Sequence, residues 1–321
     1  MGVFMLKKLL SLIFILFIPI ICTKVYAISA ESAVLYEPIS GRVLFGKDYN
    51  KKLPMASTTK IITAITVIEN TELSDIAVTS YEASVTEGSS IWLEEGEKMT
   101  VRDLLYGLLL ASGNDAAVVL AEHTSGNIEN FAVLMNQTAR KAGAISSNFT
   151  NPSGLDDENH YTTALDLAKI TAYAMKNNIF KEIVSTKEKM ITWEGKKWGR
   201  TLKNHNKLLK LYDGADGVKT GYTKKDGRCL VGSATKNGIS LITVTLNDPD
   251  DWNDHIEMFD YGFSIIKSMN LSDKTYTIKI SNSDNEYMDV KTIENVILPY
   301  LEGDIITTKS DIKETVKAPV K

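Results

Sequence analysis

A single lysine interrupts a strongly apolar helical pattern near the start of the chain. Residues 53–70 read LPMASTTKIITAITVIEN, and the isoleucine, valine and alanine side chains after Lys60 cover nearly the whole circumference of a helix. A helix that is apolar on all sides needs other elements around it, so a sizeable core must surround this segment. Because burial of an ammonium group is unfavourable, Lys60 is predicted either to pair with an acid or to have a lowered pKa and act as a base.

The first 27 residues are predicted to be a secretory signal peptide that is removed from the mature chain. Lys7 and Lys8 precede an apolar run from residue 9 to residue 22, and Val25-Tyr26-Ala27 provides small residues at the positions that a signal peptidase requires. We expect cleavage after Ala27. A retained membrane anchor is the alternative, although the apolar run is short for a spanning helix.

The composition is that of a globular protein, with enough material for one large domain and a small one. The chain has 321 residues, of which 44% are hydrophobic and 24% charged. The formal net charge of −4 becomes −7 when the leader, which carries three lysines and no acids, is removed. No nucleic-acid partner is therefore expected. Cys229 alone remains after cleavage, and the four histidines are scattered singly, so neither an internal disulfide nor a metal or other cofactor is expected.

The elements predicted along the chain place strands at both ends of a helical middle. SAVLYEPISGRVLFGKDYN reads as a β-hairpin, and TVRDLLYGLLLASGNDAAVVLAEHTSGN as two apolar helices, the first with a capping-box-like start at Thr100 and Asp103. Further helices are predicted in NIENFAVLMNQTARKAG and TTALDLAKITAYAMKNN. From Asp216 the apolar period changes to two, with a hairpin at Asn237-Gly238, and a last helix is predicted from about Trp252 to Met269.

This order predicts an α+β fold in which the N-terminal hairpin completes an antiparallel sheet with helices on and beside it. We divide the chain into a signal peptide (1–27), a main domain (28–270) and an abbreviated C-terminal β region with a polar tail (271–321). Strands are predicted there in KTYTIKI, YMDVKTI and DIITTKSDI.

Ser57 and Lys60 have the spacing of a nucleophile and its base on one helical face. The spacing alone is weak evidence, because Ser233, Ser264 and Ser310 also stand three residues before a lysine. Ser57 and Lys60 alone combine a helix start with apolar surroundings, and a helix N-terminus favours a developing negative charge.

Two further motifs carry polar side chains where the pattern predicts a buried or sheet position. Ser112-Gly113-Asn114 interrupts two apolar helices, unlike the second Ser-Gly-Asn at Ser125, which is a probable helix end. In Lys219-Thr220-Gly221, strand alternation puts Lys219 and Gly221 on one face and Thr220 on the other, unless an edge position lets the hydroxyl turn inward.

Taken together, Ser-x-x-Lys, Ser-x-Asn and Lys-Thr-Gly in this order resemble the motif set of the penicillin-recognising serine enzymes. PMASTTKIITA, GSSIWLEEGEKMTVRDLLYGLLLASGNDAA, NPSGLDDENHYTTALDLAKI and DGVKTGYT are similar to the low-molecular-mass D-alanyl-D-alanine carboxypeptidases, over about residues 30–268. The resemblance implies the fold shared by serine β-lactamases and DD-peptidases, with a helical lobe beside the sheet. It also implies peptidoglycan stem peptides as substrates and β-lactam antibiotics as covalent inhibitors.

The resemblance assigns a role to each motif residue. Ser57 is expected to be acylated, Lys60 to be its base, and Ser112 and Asn114 to shuttle a proton and orient the substrate. Lys219 and Thr220 are expected to hold the substrate carboxylate beside Gly221. The backbone N–H groups of Ser57 and Tyr222 are expected to form the oxyanion hole.

Two departures from the family pattern bear on function. Many members carry an arginine after the hairpin that helps to bind the terminal carboxylate of the substrate, whereas this chain reads NDPDDWNDH there. Many members also end in a longer β-domain and an amphipathic membrane helix, whereas here the last stretch has no apolar face. We therefore expect an exported protein of the cell envelope or the medium, without a stable membrane anchor after cleavage.

Three alternatives remain open at the level of sequence. A DD-endopeptidase acting on peptidoglycan cross-links needs the same residues and differs in the shape of its groove. A class A β-lactamase would typically have Ser-Asp-Asn in place of Ser112-Gly113-Asn114 and a Glu-x-x-Leu-Asn segment, which this chain lacks. A wall-binding protein with a decayed site is the non-enzymatic alternative.

Overall fold

The computed structural model describes residues 27–271, 275–281, 286–291, 297–307 and 315–317. The first half of the chain forms β1 (Ser32–Glu37), β2 (Arg42–Lys47), the 3-10 turn η1 (Ala56–Thr59), α1 (Lys60–Asn70), β3 (Ile76–Val78), α2 (Tyr81–Ser84), β4 (Lys98–Thr100), α3 (Val101–Leu110), α4 (Asn114–Ser125) and α5 (Ile128–Lys141). The second half forms α6 (Ala164–Ala174), α7 (Asn178–Ser185), β5 (Glu188–Ile191), β6 (Arg200–Lys203), α8 (Leu208–Leu211), β7 (Ala215–Thr223), β8 (Gly227–Lys236), β9 (Ile239–Leu246), α9 (Asp251–Ile265), β10 (Ile266–Asn270), β11 (Thr275–Ser281), β12 (Tyr287–Lys291), β13 (Ile297–Leu301) and β14 (Thr315–Lys317).

A five-stranded antiparallel sheet in the order β2-β1-β9-β8-β7 is the centre of the fold. The predicted N-terminal hairpin joins the C-terminal strands as expected, because β1 pairs with β9. The chain thus has the α+β architecture that the sequence predicts. The strand β7 lies at an edge of this sheet, which leaves one of its sides open for a substrate.

The sheet separates two hydrophobic cores. Strand alternation sends Val34 and Val231 into the larger core with α1 and the helical lobe, and sends Leu35 and Leu230 into the smaller core with α9. The predicted all-round burial of the first helix is confirmed, since α1 is buried from Lys60 to Val67.

The helical lobe positions the polar junction between α3 and α4. Thr100 begins α3 by accepting a hydrogen bond from the N–H of Asp103 at 3.1 Å, as its sequence predicts. All of α3 from Leu104 to Leu110 is buried, and the first eight residues of α4 are buried as well. The junction residues 111–113 are therefore held firmly in the interior.

The C-terminal region differs from the prediction in detail. The last helix ends at Ile265, and residues 266–269, predicted to be helical, lie in β10 because this strand pairs with β13. KTYTIKI and YMDVKTI contain strands as expected, but residues 304–307 of DIITTKSDI form no strand. The signal-peptide prediction falls almost wholly on residues 1–26, outside the described residues. Among the residues that are described, no helix has the length and apolarity to span a membrane.

Candidate active site

An open cleft of about 570 Å³ lies along the edge strand β7, between the sheet and the helical lobe. It brings together residues from the three sequence motifs. Its lining consists of Ser57, Ser89, Ser112, His205, Lys207, Thr220, Gly221, Tyr222, Arg228, Asp251 and Trp252.

Ser57 is held at the start of η1 by contacts on both sides. The preceding Ala56 has a positive φ of 47°, and its N–H donates to the carboxylate of Asp226 at 3.1 Å. On the other side, a Cβ placed on Gly221 would lie 3.1 Å from the Ser57 nitrogen. A residue without a side chain at position 221 therefore lets β7 approach the backbone of the serine closely.

Lys60 lies directly beneath Ser57. Its Nζ lies 2.9 Å from Ser57 Oγ, 2.7 Å from Asn114 Oδ1 and 2.6 Å from the carbonyl oxygen of Ser153. Among the described residues no carboxylate forms a salt bridge with this amine. Burial lowers the pKa of Lys60 well below its usual value, the positive charge of Lys219 lowers it further, and Asp115 partly opposes both effects. Of the two alternatives that the sequence left for Lys60, pairing with an acid or a lowered pKa, the structure therefore favours the lowered pKa.

Ser112 lines the cleft at the junction of α3 and α4, and Asn114 contacts the Lys60 amine from the start of α4. Ser112 is in the left-handed region with φ 62°, a strained conformation that turns its side chain away from the helix path. Asn114 Oδ1 accepts a hydrogen bond from Lys60 Nζ, and Asn114 Nδ2 donates one to the carbonyl oxygen of Glu87 at 2.6 Å. Since its oxygen and nitrogen are both engaged, this amide is fixed in one orientation.

The Lys219-Thr220-Gly221 motif contributes from both faces of β7. Thr220 and Gly221 line the cleft, as the edge position of the strand allows, whereas Lys219 is buried behind them and donates to the carbonyl oxygen of Thr220 at 2.9 Å. Burial lowers the pKa of Lys219 to about 7. Tyr222, which follows the motif, presents an exposed side chain at the rim.

The NPSG loop at residues 151–154, part of the family resemblance but without a role assigned from the sequence, supports the base of the site. Residues 151–154 supply the carbonyl oxygen that Lys60 contacts, and Gly154 packs against Ala56. His160 hydrogen-bonds with Thr59 Oγ1 at 2.8 Å through Nε2, one layer below the cleft. Burial lowers the pKa of His160 to about 4, so this ring is a neutral structural group, as we expect for isolated histidines.

Sequence reasoning missed one end of the cleft. Arg228 on β8 and Asp251 at the start of α9 form a salt bridge of 2.6 Å, and Arg228 and Lys207 both lie near the Trp252 ring. His205, one of the four singly scattered histidines, also lines the cleft. No local pattern marks these residues, because β8, α9 and the segment before α8 meet only in the folded chain.

The described residues contain no group of three or more His, Cys, Asp or Glu side chains with the geometry to hold a metal ion. The polar groups that converge on the cleft are a hydroxyl, an amine of lowered pKa and an amide. This set is suited to nucleophilic attack by serine with lysine as the base.

Comparison with known proteins agrees with this chemistry. A family profile described as D-alanyl-D-alanine carboxypeptidase matches residues 21–250. D-alanyl-D-alanine carboxypeptidase DacF of Bacillus subtilis (strain 168) is 35% identical over 315 residues, which cover 93% of this chain and 80% of the relative. D-alanyl-D-alanine carboxypeptidase DacB2 of Mycobacterium tuberculosis is 34% identical over 74% of this chain and 83% of its own length.

Solved structures are similar over the same region. The crystal structure of a Streptomyces DD-transpeptidase has a TM-score of 0.69 and 34% sequence identity, and it covers 74% of this chain and 98% of its own. That of a D-alanyl-D-alanine carboxypeptidase from Mycobacterium tuberculosis has a TM-score of 0.70 and 33% identity, with 74% and 92% coverage. The similarity therefore extends over about three quarters of the chain, and not over the motifs alone.

Proposed function

The chain belongs to the D-alanyl-D-alanine carboxypeptidase family, and on this premise we propose that it removes the terminal D-alanine from peptidoglycan stem pentapeptides through an acyl-enzyme on Ser57. The observation that carries the proposal is the placement of the Lys60 amine, 2.9 Å from Ser57 Oγ and buried without an acid partner among the described residues. A base whose pKa is lowered in this way is neutral more often than an ordinary lysine and so can accept the serine proton.

In the acylation step, Ser57 Oγ attacks the carbonyl carbon of the penultimate D-alanine while its proton passes to Lys60. The backbone N–H groups of Ser57 and Tyr222 stabilise the oxyanion. Ser112 relays the proton to the leaving amine, the C–N bond breaks and D-alanine departs. Lys60 then activates a water molecule that hydrolyses the ester and restores the Ser57 hydroxyl.

The remaining site residues bind and orient the substrate. Asn114 holds the peptide by its fixed amide, and Thr220 and Lys219 act on the terminal carboxylate, the first from the cleft wall and the second through its charge from behind the strand. Gly221 lets β7 approach the backbone of Ser57 and so helps to place the nucleophile at the cleft.

A β-lactam should acylate the same serine and persist there. The cleft lining contains one acid, Asp251, and this carboxylate is paired with Arg228 instead of being free to activate a deacylating water. Penicillin ring opening leaves no departing fragment, so the ester remains shielded, whereas departure of D-alanine opens space for water.

We locate this activity in the cell envelope, where members of the family act on peptidoglycan. The chain from residue 28 onward is proposed to be exported, with the leader removed and no stable membrane anchor left. Ile28 is 4% exposed and its carbonyl oxygen accepts a hydrogen bond from Lys47, so the packed body of the protein begins at the expected cleavage site.

Intact-mass spectrometry and D-alanine release test the proposal together. Wild type mixed with penicillin should gain the mass of the antibiotic, and it should release D-alanine from a peptide that ends in D-Ala-D-Ala. Ser57→Ala should show no adduct, and both Ser57→Ala and Lys60→Ala should lose on the order of a thousandfold or more in D-alanine release. Ser264→Ala is the matched control, because Ser264 has the same spacing to a lysine but lies on the surface of α9.

The products separate the alternatives. Rapid turnover of penicillin with no adduct and no D-alanine release would replace the carboxypeptidase with a β-lactamase. Cleavage of cross-linked muropeptides in preference to pentapeptides would identify an endopeptidase instead. A mature protein that binds muropeptides and neither releases D-alanine nor forms an adduct would be a decayed binding protein.

A further inference from the structure

The proposed substrate ends in a carboxylate, and the segment that follows β9 offers no cation to receive it. Residues 247–254 read NDPDDWND, and four of the eight are aspartates. A carboxylate entering the cleft near these acids would be repelled unless a cation from another element lies closer. Lys219 is nearly fully buried and its Nζ is already bonded to the carbonyl oxygen of Thr220, so it cannot serve as the direct partner without moving.

Resting on the proposed function, we infer that Arg228 is the residue that binds the terminal carboxylate of the substrate and so determines the preference for a free C-terminus. Arg228 stands directly opposite Tyr222 in the pairing of β8 with β7. It therefore lies at the end of the cleft beyond Gly221, on the same lining as Ser57 and Thr220.

The contact with Asp251 fixes the position of Arg228 and occupies only part of its hydrogen-bonding capacity. One Nη donates to Asp251, which is 5% exposed, while the Arg228 side chain remains 42% exposed. The Nε group is buried and has no hydrogen-bond partner among the described residues. A guanidinium offers five donors in a planar fork, so the contact with Asp251 fixes its orientation and leaves donors for a second carboxylate.

The surroundings keep this end of the cleft suited to an anion. Asp251 raises the pKa of Arg228, chiefly through their hydrogen bond, and the charges of Asp248 and Asp250 raise it further. Asp248 points toward Ser29 and is absent from the cleft lining, so Asp251 is the acid that faces the bound substrate. The cleft lining thus contains two cationic side chains, Arg228 and Lys207, and one acidic side chain, Asp251.

Arg228 is preferred to Lys207 for a geometric reason. Both cations lie 5.9 Å from the Trp252 ring centroid, but Lys207 is exposed on a flexible stem and forms no salt bridge with a described residue. Arg228 is anchored in addition by Asp251, so binding a carboxylate there orders fewer rotamers.

The test compares two peptides that differ only at the C-terminus, one ending in D-Ala-D-Ala and the other in the corresponding D-alanine amide. In wild type, kcat/KM should favour the acid. In Arg228→Gln the ratio of acid to amide should fall by about tenfold to a hundredfold, the range for loss of a hydrogen bond to a charged group. Arg228→Lys should recover part of the ratio, because it keeps the charge and loses the fork.

Two control variants separate recognition from stability and from general electrostatics. Arg102→Gln removes an arginine of similar exposure, 40%, from a 2.7 Å salt bridge on another surface, and it should leave the ratio unchanged. Lys207→Gln should change the ratio by less than about threefold, as an exposed and screened charge would. Equal loss on both peptides in Arg228→Gln, or a larger collapse of the ratio in Lys207→Gln, would overturn the assignment.

Calorimetric binding to inactive protein distinguishes this inference from the proposed function. In the Ser57→Ala background the acid should bind more tightly than the amide, and adding Arg228→Gln should remove most of that difference. Failure of wild type to release D-alanine would count against the carboxypeptidase. An unchanged acid preference in the double variant would count against Arg228, whatever the activity of wild type.

Discussion

Two buried lysines of lowered pKa belong to the site. Burial is the main cause of the lowered pKa of Lys60, and the charge of Lys219 lowers it further. Burial alone accounts for the pKa of about 7 at Lys219. Keeping these amines protonated in the interior is unfavourable for folding, and this cost is the physical origin of the reactivity proposed for Lys60.

The stability of the protein should therefore rise with pH above neutrality. In the folded state Lys219 loses its proton near pH 7, whereas in the unfolded chain it keeps the proton to about pH 10.5, so between these values the unfolded state binds more protons. The free energy of unfolding should increase from pH 7 to pH 9 by at most about 1.4 kcal/mol per pH unit from this residue. Urea unfolding of wild type and Lys219→Met should show a shallower pH dependence in the variant. Parallel curves would argue against a folded-state pKa near 7.

At the scale of elements, the geometry of the serine depends on close backbone contacts between η1, β7 and the 151–154 loop. Gly154 has φ +84°, and a Cβ there would lie 1.9 Å from the carbonyl oxygen of Ala56 and 2.8 Å from Thr59 Oγ1. Gly126 has nearly the same φ, +85°, at the end of α4, with nothing within 4 Å of a Cβ. Gly154 and Gly126 therefore have nearly the same φ, but a Cβ would clash with neighbouring atoms at Gly154 and would enter open space at Gly126.

Alanine substitution at the two positions should separate backbone strain from displacement of the nucleophile. Gly126→Ala should cost about 1 to 2 kcal/mol of stability, the strain of a left-handed residue, and leave the rate of penicillin acylation unchanged. Gly154→Ala should cost more and slow acylation of the folded protein at least tenfold, by roughly the effect of a misplaced catalytic group. Thermal unfolding and stopped-flow acylation measure the two effects. Equal acylation rates in both variants would show that the loop does not position Ser57.

At the scale of the whole molecule, charge and packing bear on where the mature chain resides. The chain from residue 28 onward carries a formal net charge of −7, the total of −4 less the three lysines of the leader. The anionic surface of a membrane repels a chain of this charge. The segment that begins at Ile28 is packed against the sheet, whereas Ala27 is exposed.

Fractionation of cells that express the full chain should recover a processed protein whose N-terminus is Ile28, outside the cytoplasm and free of the membrane. Intact-mass spectrometry of the soluble fraction identifies the cleavage site. Processed protein that stays in the membrane pellet after a high-salt wash would contradict the absence of an anchor. An unprocessed chain in the membrane would indicate that the leader is retained.

Short-range features of the sequence were sufficient to predict the main elements and the central pair of the site. The Pro38–Gly41 turn, the Thr100 cap and the Asn237-Gly238 hairpin are local signals, and each is present where expected. Ser57 and Lys60 are three residues apart, so the helix itself brings them within 2.9 Å. The resemblance of the motifs was sufficient to indicate the family, which the comparisons show independently.

Tertiary structure alone decided the features that depend on residues far apart in the chain. The burial of Lys60 requires Asn114 and Ser153, which are 54 and 93 residues away, to close over its amine. The strand β10 replaces a predicted helical turn because β13 is available to pair with it. Arg228 meets Asp251 and Trp252 only because β8 and α9 pack together, and no spacing in the sequence encodes that contact. Local patterns fix which neighbours share a helical face or strand face, whereas the charge environment of a cleft is set by elements that meet through the common core.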